Sequence, residues 1–199
     1  METCDAKSTE ESLKQGEALL KKWAGHKRIH PMIAPHATNT NPPETLKEAY
    51  DLAMAHDAFY MLHVSEMDYE MDFFRKTYDK TPVEFLYDLG VLGPKTLAAH
   101  CIHLTDHDIE LLAKTDTRVV HCAGSNTKSG KGVCPVRDLK AAGVTVAVGT
   151  DGPSSGNTLD LFTQFRMIPL FQKTKYHDRS IFPAREVVEM GTMGGAYAL

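Results

Sequence analysis

Six side chains able to hold a metal ion or move a proton recur along this sequence: His36, His63 with Glu66 three residues on, His100, His121 and Asp151. Imidazole nitrogen is a common ligand for zinc or iron. A carboxylate on the same ion leaves room for a water whose pKa the metal lowers towards neutrality. On that chemistry His63 and Asp151 are the candidate metal ligands. A histidine taken singly is more often a hydrogen-bonded structural residue, so the weight lies in the repeated placement of these groups.

That placement depends on the elements before each group. Apolar runs at 29–34, 58–64, 96–102, 118–122 and 144–148 read as five short strands. His36 follows the first run, His63 and Glu66 close the second, His100 the third, His121 the fourth, and Asp151 follows the fifth. Helical patterns separate them. Leu13, Leu19, Leu20 and Trp23 mark a helix over 11–23, and Pro42 and Pro43 open one from about Glu44. Further helices fall at 69–78, at 82–89, after a Thr105 cap with Asp108 at the third position, and at 136–142. Asn157 and Asp160 cap a helix that Pro169 interrupts, and a last helix spans about 183–190.

Strands alternating with helices, without hairpin turn signals, mean parallel strands in an α/β fold. A doubly wound sheet and a (β/α) barrel both fit. Functional groups at the ends of several successive strands favour the barrel, whose strand ends converge on one mouth. An open sheet gathers its ligand at a single switch point instead.

An apolar fraction of 42% and a charged fraction of 24% over 199 residues are ordinary for one soluble domain. The net charge of −4 is spread without a basic stripe, which argues against nucleic acid or an anionic membrane as partner and for a small molecule. Cys4, Cys101, Cys122 and Cys134 show no CxxC spacing, and no apolar run is long enough to span a bilayer. Both features point to a reducing, cytoplasmic setting. The polar run Glu2 to Glu11 behind Met1 reads as the middle of a loop leading into a helix more than as the opening of a domain.

The segments LHVSE (62–66), AAHCIHL (98–104), VVHCAGSNTKSGKG (119–132) and VGTDGPSSGNTLDLF (148–162) carry a family pattern in order and spacing. They resemble the motifs of the amidohydrolase superfamily. The similar branch is that of the methylthioadenosine/S-adenosylhomocysteine deaminases and related chlorohydrolases, and IAPHATNT (33–40) matches its histidine after the fourth barrel strand. The likeness extends over nearly the whole chain.

The resemblance implies a (β/α)8 TIM-type barrel of which residues 1–199 form about strands four to eight, an amidohydrolase-related catalytic domain incomplete at its N-terminus. It implies one divalent metal ion, zinc first, with iron or manganese as alternatives. His63 and Asp151 would bind it, Asp151 also taking a proton from the attacking water. Glu66 would hold a ring nitrogen of a purine-like or other nitrogen heterocycle and deliver the proton there. His100 would hydrogen-bond the metal-bound hydroxide and the developing tetrahedral centre, and His36 would contact the substrate. The net reaction releases ammonia. Related enzymes commonly form homo-oligomers.

The pattern also departs from the family. Cys122 stands where asparagine is usual, and Asn39 and Thr40 stand where aromatic and cysteine residues are common. No His-x-His pair, the family's first-strand ligands, precedes His63; His26 and His30 are four apart and come before the first strand. Five parallel strands do not close, so the chain alone is expected to be poorly stable or self-associating, inactive as a truncated or split fragment, or completed by an N-terminal segment. A chlorohydrolase and a guanine or cytosine deaminase are the alternative activities.

Three other patterns are set aside. Gly124 to Gly132 has the wrong spacing for a phosphate-binding loop and reads as a surface loop near the mouth. Gly152-Pro-Ser-Ser-Gly156 matches a nucleophile elbow but lacks its downstream acid and histidine in order. A zinc site from Cys101, His103, His121 and Cys122 fails because neighbouring strand residues point to opposite faces.

Overall fold

The computed structural model describes residues 6–199. The first four residues of the polar opening run, 2–5, Cys4 among them, lie outside that range. Four strands, β1 (Tyr60–Val64), β2 (Thr96–His100), β3 (Arg118–His121) and β4 (Val146–Val148), pair in parallel in the order β1-β2-β3-β4. Sequential parallel order with helical crossovers makes the sheet an arc of a (β/α) barrel.

The strand expected over 29–34 is not formed as such. Its segment makes two isolated parallel bridges to β1, Ile33 with Tyr60 and Ala37 with His63. Pro31 and Pro35 have no N–H to give to a ladder, which reduces an edge strand to single bridges. The segment still runs along β1: Ile33 N–H donates to Phe59 and His63 N–H donates to the His36 carbonyl.

The helices are α1 (Thr9–Trp23), α2 (Pro43–Ala55), α3 (Asp68–Tyr78), α4 (Pro82–Leu89), α5 (Asp106–Lys114), α6 (Ala123–Lys128), α7 (Val136–Ala141), α8 (Pro153–Gly156), α9 (Leu161–Tyr176), α10 (Ala184–Glu189) and α11 (Gly195–Ala198). A π-helical turn, Met190–Gly194, joins the last two. Local chemistry explains most starts: Thr81 and Thr105 form capping boxes with Glu84 and Asp108, each satisfying two orphan N–H groups. None of the helices among the described residues is long and apolar enough to cross a membrane.

Three helical expectations are corrected. Residues 123–128 form a short helix rather than a loop. Asn157 ends α8 in the left-handed conformation (φ 64°) and only Asp160 caps α9. Pro169 does not interrupt α9, because Gln164, Ile168 and Gln172 line one fully buried face on both sides of it. Gln164 accepts from Gly124 N–H at 2.8 Å and Gln172 donates to the Cys134 carbonyl at 2.9 Å, so tertiary bonds pin both halves.

The main core lies between the strands and the helices. Tyr60, Leu62, Val64, Ala98, Val119 and Val146 face Leu46, Leu86, Leu112, Leu139 and Ile168 there. The other sheet face carries a smaller cluster of Leu97, Ala147, Met61, Phe59 and Val120. The alternation along each strand thus sorts residues between an outer core and an inner face.

Candidate active site

In β1 the outer positions are Tyr60, Leu62 and Val64, so His63 emerges on the inner side with Phe59 and Met61. Ser65 then turns the chain through a left-handed conformation (φ 50°), delivering Glu66 to the strand's carboxyl end. The turn is held from below by Glu70 of α3, a carboxylate only 3% exposed. It accepts from Ser65 N–H at 3.2 Å and Glu66 N–H at 2.8 Å, and from the Thr38 hydroxyl. Burial pushes the Glu70 carboxyl above its ordinary range, with these donors opposing.

His100 shares strand parity with the outward Ala98, yet its ring contacts the mouth. A left-handed backbone at His100 (φ 72°) and Cys101 (φ 48°) breaks the alternation. The ring, 1% exposed, is fixed by its Nδ1 at 2.7 Å from Asn126 Oδ1 in α6. With that oxygen accepting, Nδ1 is assigned the proton and Nε2 faces Glu66 Oε1 at 3.6 Å and Asp151 Oδ2 at 4.0 Å.

Asp151 leaves β4 through Gly149, where an added Cβ would lie 2.8 Å from Val120 Cγ1 and 3.2 Å from Cys122 Sγ. Only glycine lets the fourth strand end approach the third so closely. Asp151 itself is left-handed (φ 59°), accepting from Ser125 Oγ at 2.7 Å and Gly152 N–H at 2.6 Å. Burial raises its carboxyl, but the Ser125 hydroxyl, Gly152 N–H, His100 and Ser155 outweigh it and hold the group below its ordinary value.

His63, Glu66, His100 and Asp151 therefore share one mouth, and His36 stands at its rim. The His63 ring is 5.0 Å from that of His36 and 5.1 Å from that of His100, centroid to centroid. His36 is exposed, also left-handed (φ 72°), and bonds Thr40 Oγ1 through Nδ1 at 2.9 Å. Burial and then the neighbouring His100 push the His63 imidazole down, against the attraction of Glu66 and Asp151; burial and His63 do the same to His36. Neutral imidazole beside ionised carboxylate is the pairing a divalent cation binds.

His121 does not join them. It follows Val119 on the outer parity of β3, is 1% exposed, and neither ring nitrogen has a partner. Burial, then His100, pushes its pKa down to about 4.

The donor chemistry of His63 and Asp151 fits a metal, but as a pair and not a full coordination shell. Among the described residues no group of three or more His, Cys, Asp or Glu side chains converges as a cation cage.

Sequence reasoning missed the groups that hold these side chains: Glu70, Ser125, Asn126 and Lys131. Ser125, Asn126 and Lys131 lie in the segment read as a surface loop, and Lys131 forms an ion pair with Glu66. Glu70 looks like an ordinary acidic residue of a first helical turn.

Parallel strands in serial order, helices outside and polar groups gathered at the carboxyl ends define a (β/α)-barrel scaffold with its site at the strand ends. The chain belongs to the amidohydrolase family, whose model matches residues 2–199. It is 41% identical over 201 residues to a 5-methylthioadenosine/S-adenosylhomocysteine deaminase of Caldanaerobacter subterraneus subsp. tengcongensis, covering 100% of this chain and 46% of that protein. It is 39% identical over 197 residues to a 5'-deoxyadenosine deaminase of Methanothermobacter thermautotrophicus, covering 98% of this chain and 46% of that one. The crystal structure of an adenosine deaminase from Xanthomonas campestris with bound zinc superposes with a TM-score of 0.96 at 32% identity, over 100% of this chain and 45% of its own. The chain thus spans about half the length of the relatives it matches.

Proposed function

We propose that residues 1–199 are one piece of a metal-dependent deaminase of 6-aminopurine nucleosides of the 5'-deoxyadenosine or methylthioadenosine kind. The observation that carries the reading is the convergence of four side chains at one barrel mouth, with His100 Nε2 3.6 Å from Glu66 and 4.0 Å from Asp151 and its ring 5.1 Å from that of His63. The deaminase names of the relatives at 39% and 41% identity supply the substrate class.

His63 and Asp151 would hold the divalent ion, zinc by analogy with the Xanthomonas protein. Bound there, the ion supplies Lewis acidity that lowers the pKa of the attacking water towards neutrality. Asp151, kept ionised by Ser125 and Gly152, accepts that water's proton. Glu66 binds the ring nitrogen next to the amine-bearing carbon and passes a proton to it. His100, as an imidazolium with Nδ1 still donating to Asn126, donates through Nε2 to the oxygen that develops charge as the carbon becomes tetrahedral. His36 at the rim contacts the rest of the substrate. Asp151 passes the water's proton to the departing amine, which leaves as ammonia, and the remaining hydroxyl proton goes to Glu66 in place of the one given to the ring nitrogen, leaving the ring with oxygen in the amine's place.

Two donors make a weak metal site, so we further propose that the remaining ligands come from a segment other than the described residues. The test pairs the purified chain with a separately expressed portion of the 5'-deoxyadenosine deaminase that lies outside the matched half. The mixture is expected to bind zinc stoichiometrically and release ammonia from 5'-deoxyadenosine. The 199-residue chain alone binds zinc weakly and releases none, and His63→Ala or Asp151→Asn abolishes both signals in the mixture. Stoichiometric zinc and turnover by the chain alone would overturn the divided site; a zinc-loaded mixture without ammonia release would overturn the deaminase reading.

A further inference from the structure

The stretch Gly130-Lys131-Gly132 is unused by the chemistry above, yet it is built with unusual constraint. Both glycines have positive φ, 66° and 123°. A Cβ on Gly132 would lie 2.8 Å from Ile102 Cγ2, so the loop is pressed against the turn that follows β2. Lys131 N–H donates to the Asn126 carbonyl at 2.9 Å, and Asn126 is the residue that fixes His100. From this frame the Lys131 side chain crosses 65 residues of sequence to Glu66 Oε1.

The pair is sheltered: the Lys131 side chain is 16% exposed and that of Glu66 20%. Lys131 and His100 both approach Oε1 of Glu66. Its second oxygen receives no hydrogen bond from the described residues and is the one left for a ligand. A flexible lysine in a Gly-flanked loop ordinarily points to water and gains little from an ion pair. Here the backbone under the side chain is fixed by the Lys131 N–H bond to Asn126 and by Gly132 packed on Ile102, so the side chain reaches Glu66 from one set position.

We propose that Lys131 is a positioning residue for the proton-carrying carboxylate: it holds Glu66 by one oxygen and so presents the other to the ring nitrogen of the substrate. The role of Glu66 in that statement rests on the deaminase reading; the clamp does not. One segment, 126–131, then sets both groups at the mouth that are not candidate metal ligands, His100 through Asn126 and Glu66 through Lys131.

The test is NMR of the lysine ammonium groups in the 199-residue chain, with Lys131→Met assigning the signal, followed by titration with 5'-deoxyadenosine of the chain mixed with zinc and the complementing portion. The Lys131 ammonium is expected to exchange about tenfold more slowly than surface lysines, equivalent to roughly 1.4 kcal/mol. Glu66→Gln is expected to remove that protection. Lys131→Met should weaken 5'-deoxyadenosine binding about tenfold, and Lys131→Arg should recover most of it. An ammonium that exchanges like its surface counterparts, or ignores Glu66→Gln, overturns the clamp. Unchanged nucleoside binding by Lys131→Met overturns the positioning role. A protected ammonium in a wild-type mixture that loads zinc but binds no nucleoside supports the clamp and removes the deaminase reading. If Lys131→Met fails to fold, Lys131→Arg assigns the signal and the Glu66→Gln comparison decides.

Discussion

Asn126 Oδ1 lies 2.7 Å from His100 Nδ1, a bond between two side chains that are respectively fully buried and 1% exposed. It fixes which ring nitrogen turns to the mouth, and it does so from the helix that follows the next strand. The bond therefore couples the β2 and β3 ends directly. Replacing Asn126 by Ala removes the one hydrogen-bond partner that the described residues give a buried imidazole nitrogen, and opens a small void. A loss of about 2 kcal/mol is expected, read as a lower urea midpoint. Asn126→Asp, which keeps an acceptor for Nδ1, is expected to retain the His100 ring orientation by NMR, whereas Asn126→Ala is not.

Glu70 ties the loop carrying Thr38 to the N–H groups of Ser65 and Glu66. Glutamine has one acceptor oxygen where the carboxylate offers two, so Glu70→Gln leaves a buried backbone N–H facing an amide donor. About 2 kcal/mol of destabilisation is expected, a fall in Tm of roughly 4–8 °C for a chain of this size. Calorimetry on the two proteins checks it, and an unchanged Tm would show that Glu70 does not bear on the turn.

His121 makes stability depend on acid. Its folded-state pKa of about 4, against an ordinary value of 6.5, means the folded chain binds fewer protons than the unfolded one between those limits. The contribution is complete above the upper limit and is lost as pH falls towards the lower, amounting to roughly 3 kcal/mol over the whole interval. Glu70 acts in the opposite sense, since a raised carboxyl favours the folded state at low pH and loses that contribution as pH rises. His121→Phe removes only the first term. Urea midpoints measured from pH 7 down to 4.5 should fall less steeply in the variant, and parallel curves would rule out a buried neutral imidazole.

Much of this was legible in the residues because period and capping are local. The α4 boundaries follow from Thr81, Pro82 and Gly90, and the inward placement of His63 follows from strand alternation. Less legible was whatever depended on contacts between distant segments. Pro169 reads as a break until the buried Gln164 and Gln172 are seen to hold both sides of it. The 29–34 run looks like a strand, but its prolines leave it only bridges. Lys131 reads as a solvated charge in a glycine-rich loop, because nothing in its neighbourhood announces a carboxylate 65 positions away. His121 shares the strand-end position of the other candidates and differs only in parity, which a left-handed residue corrects for His100 and not for it.

The left-handed backbone at His36, Ser65, His100 and Asp151 has a further consequence. A non-glycine residue in that conformation carries a strain of about 1 kcal/mol or more, and it does so here at three of the five proposed site residues and at the residue before a fourth. Glycine at such a position would relax the chain while deleting the side chain or its lever. Selection for stability and selection for chemistry therefore pull against each other at the carboxyl rim of this sheet. A copy of the chain freed from its chemical task would be expected to drift first at these positions, towards a calmer and emptier mouth.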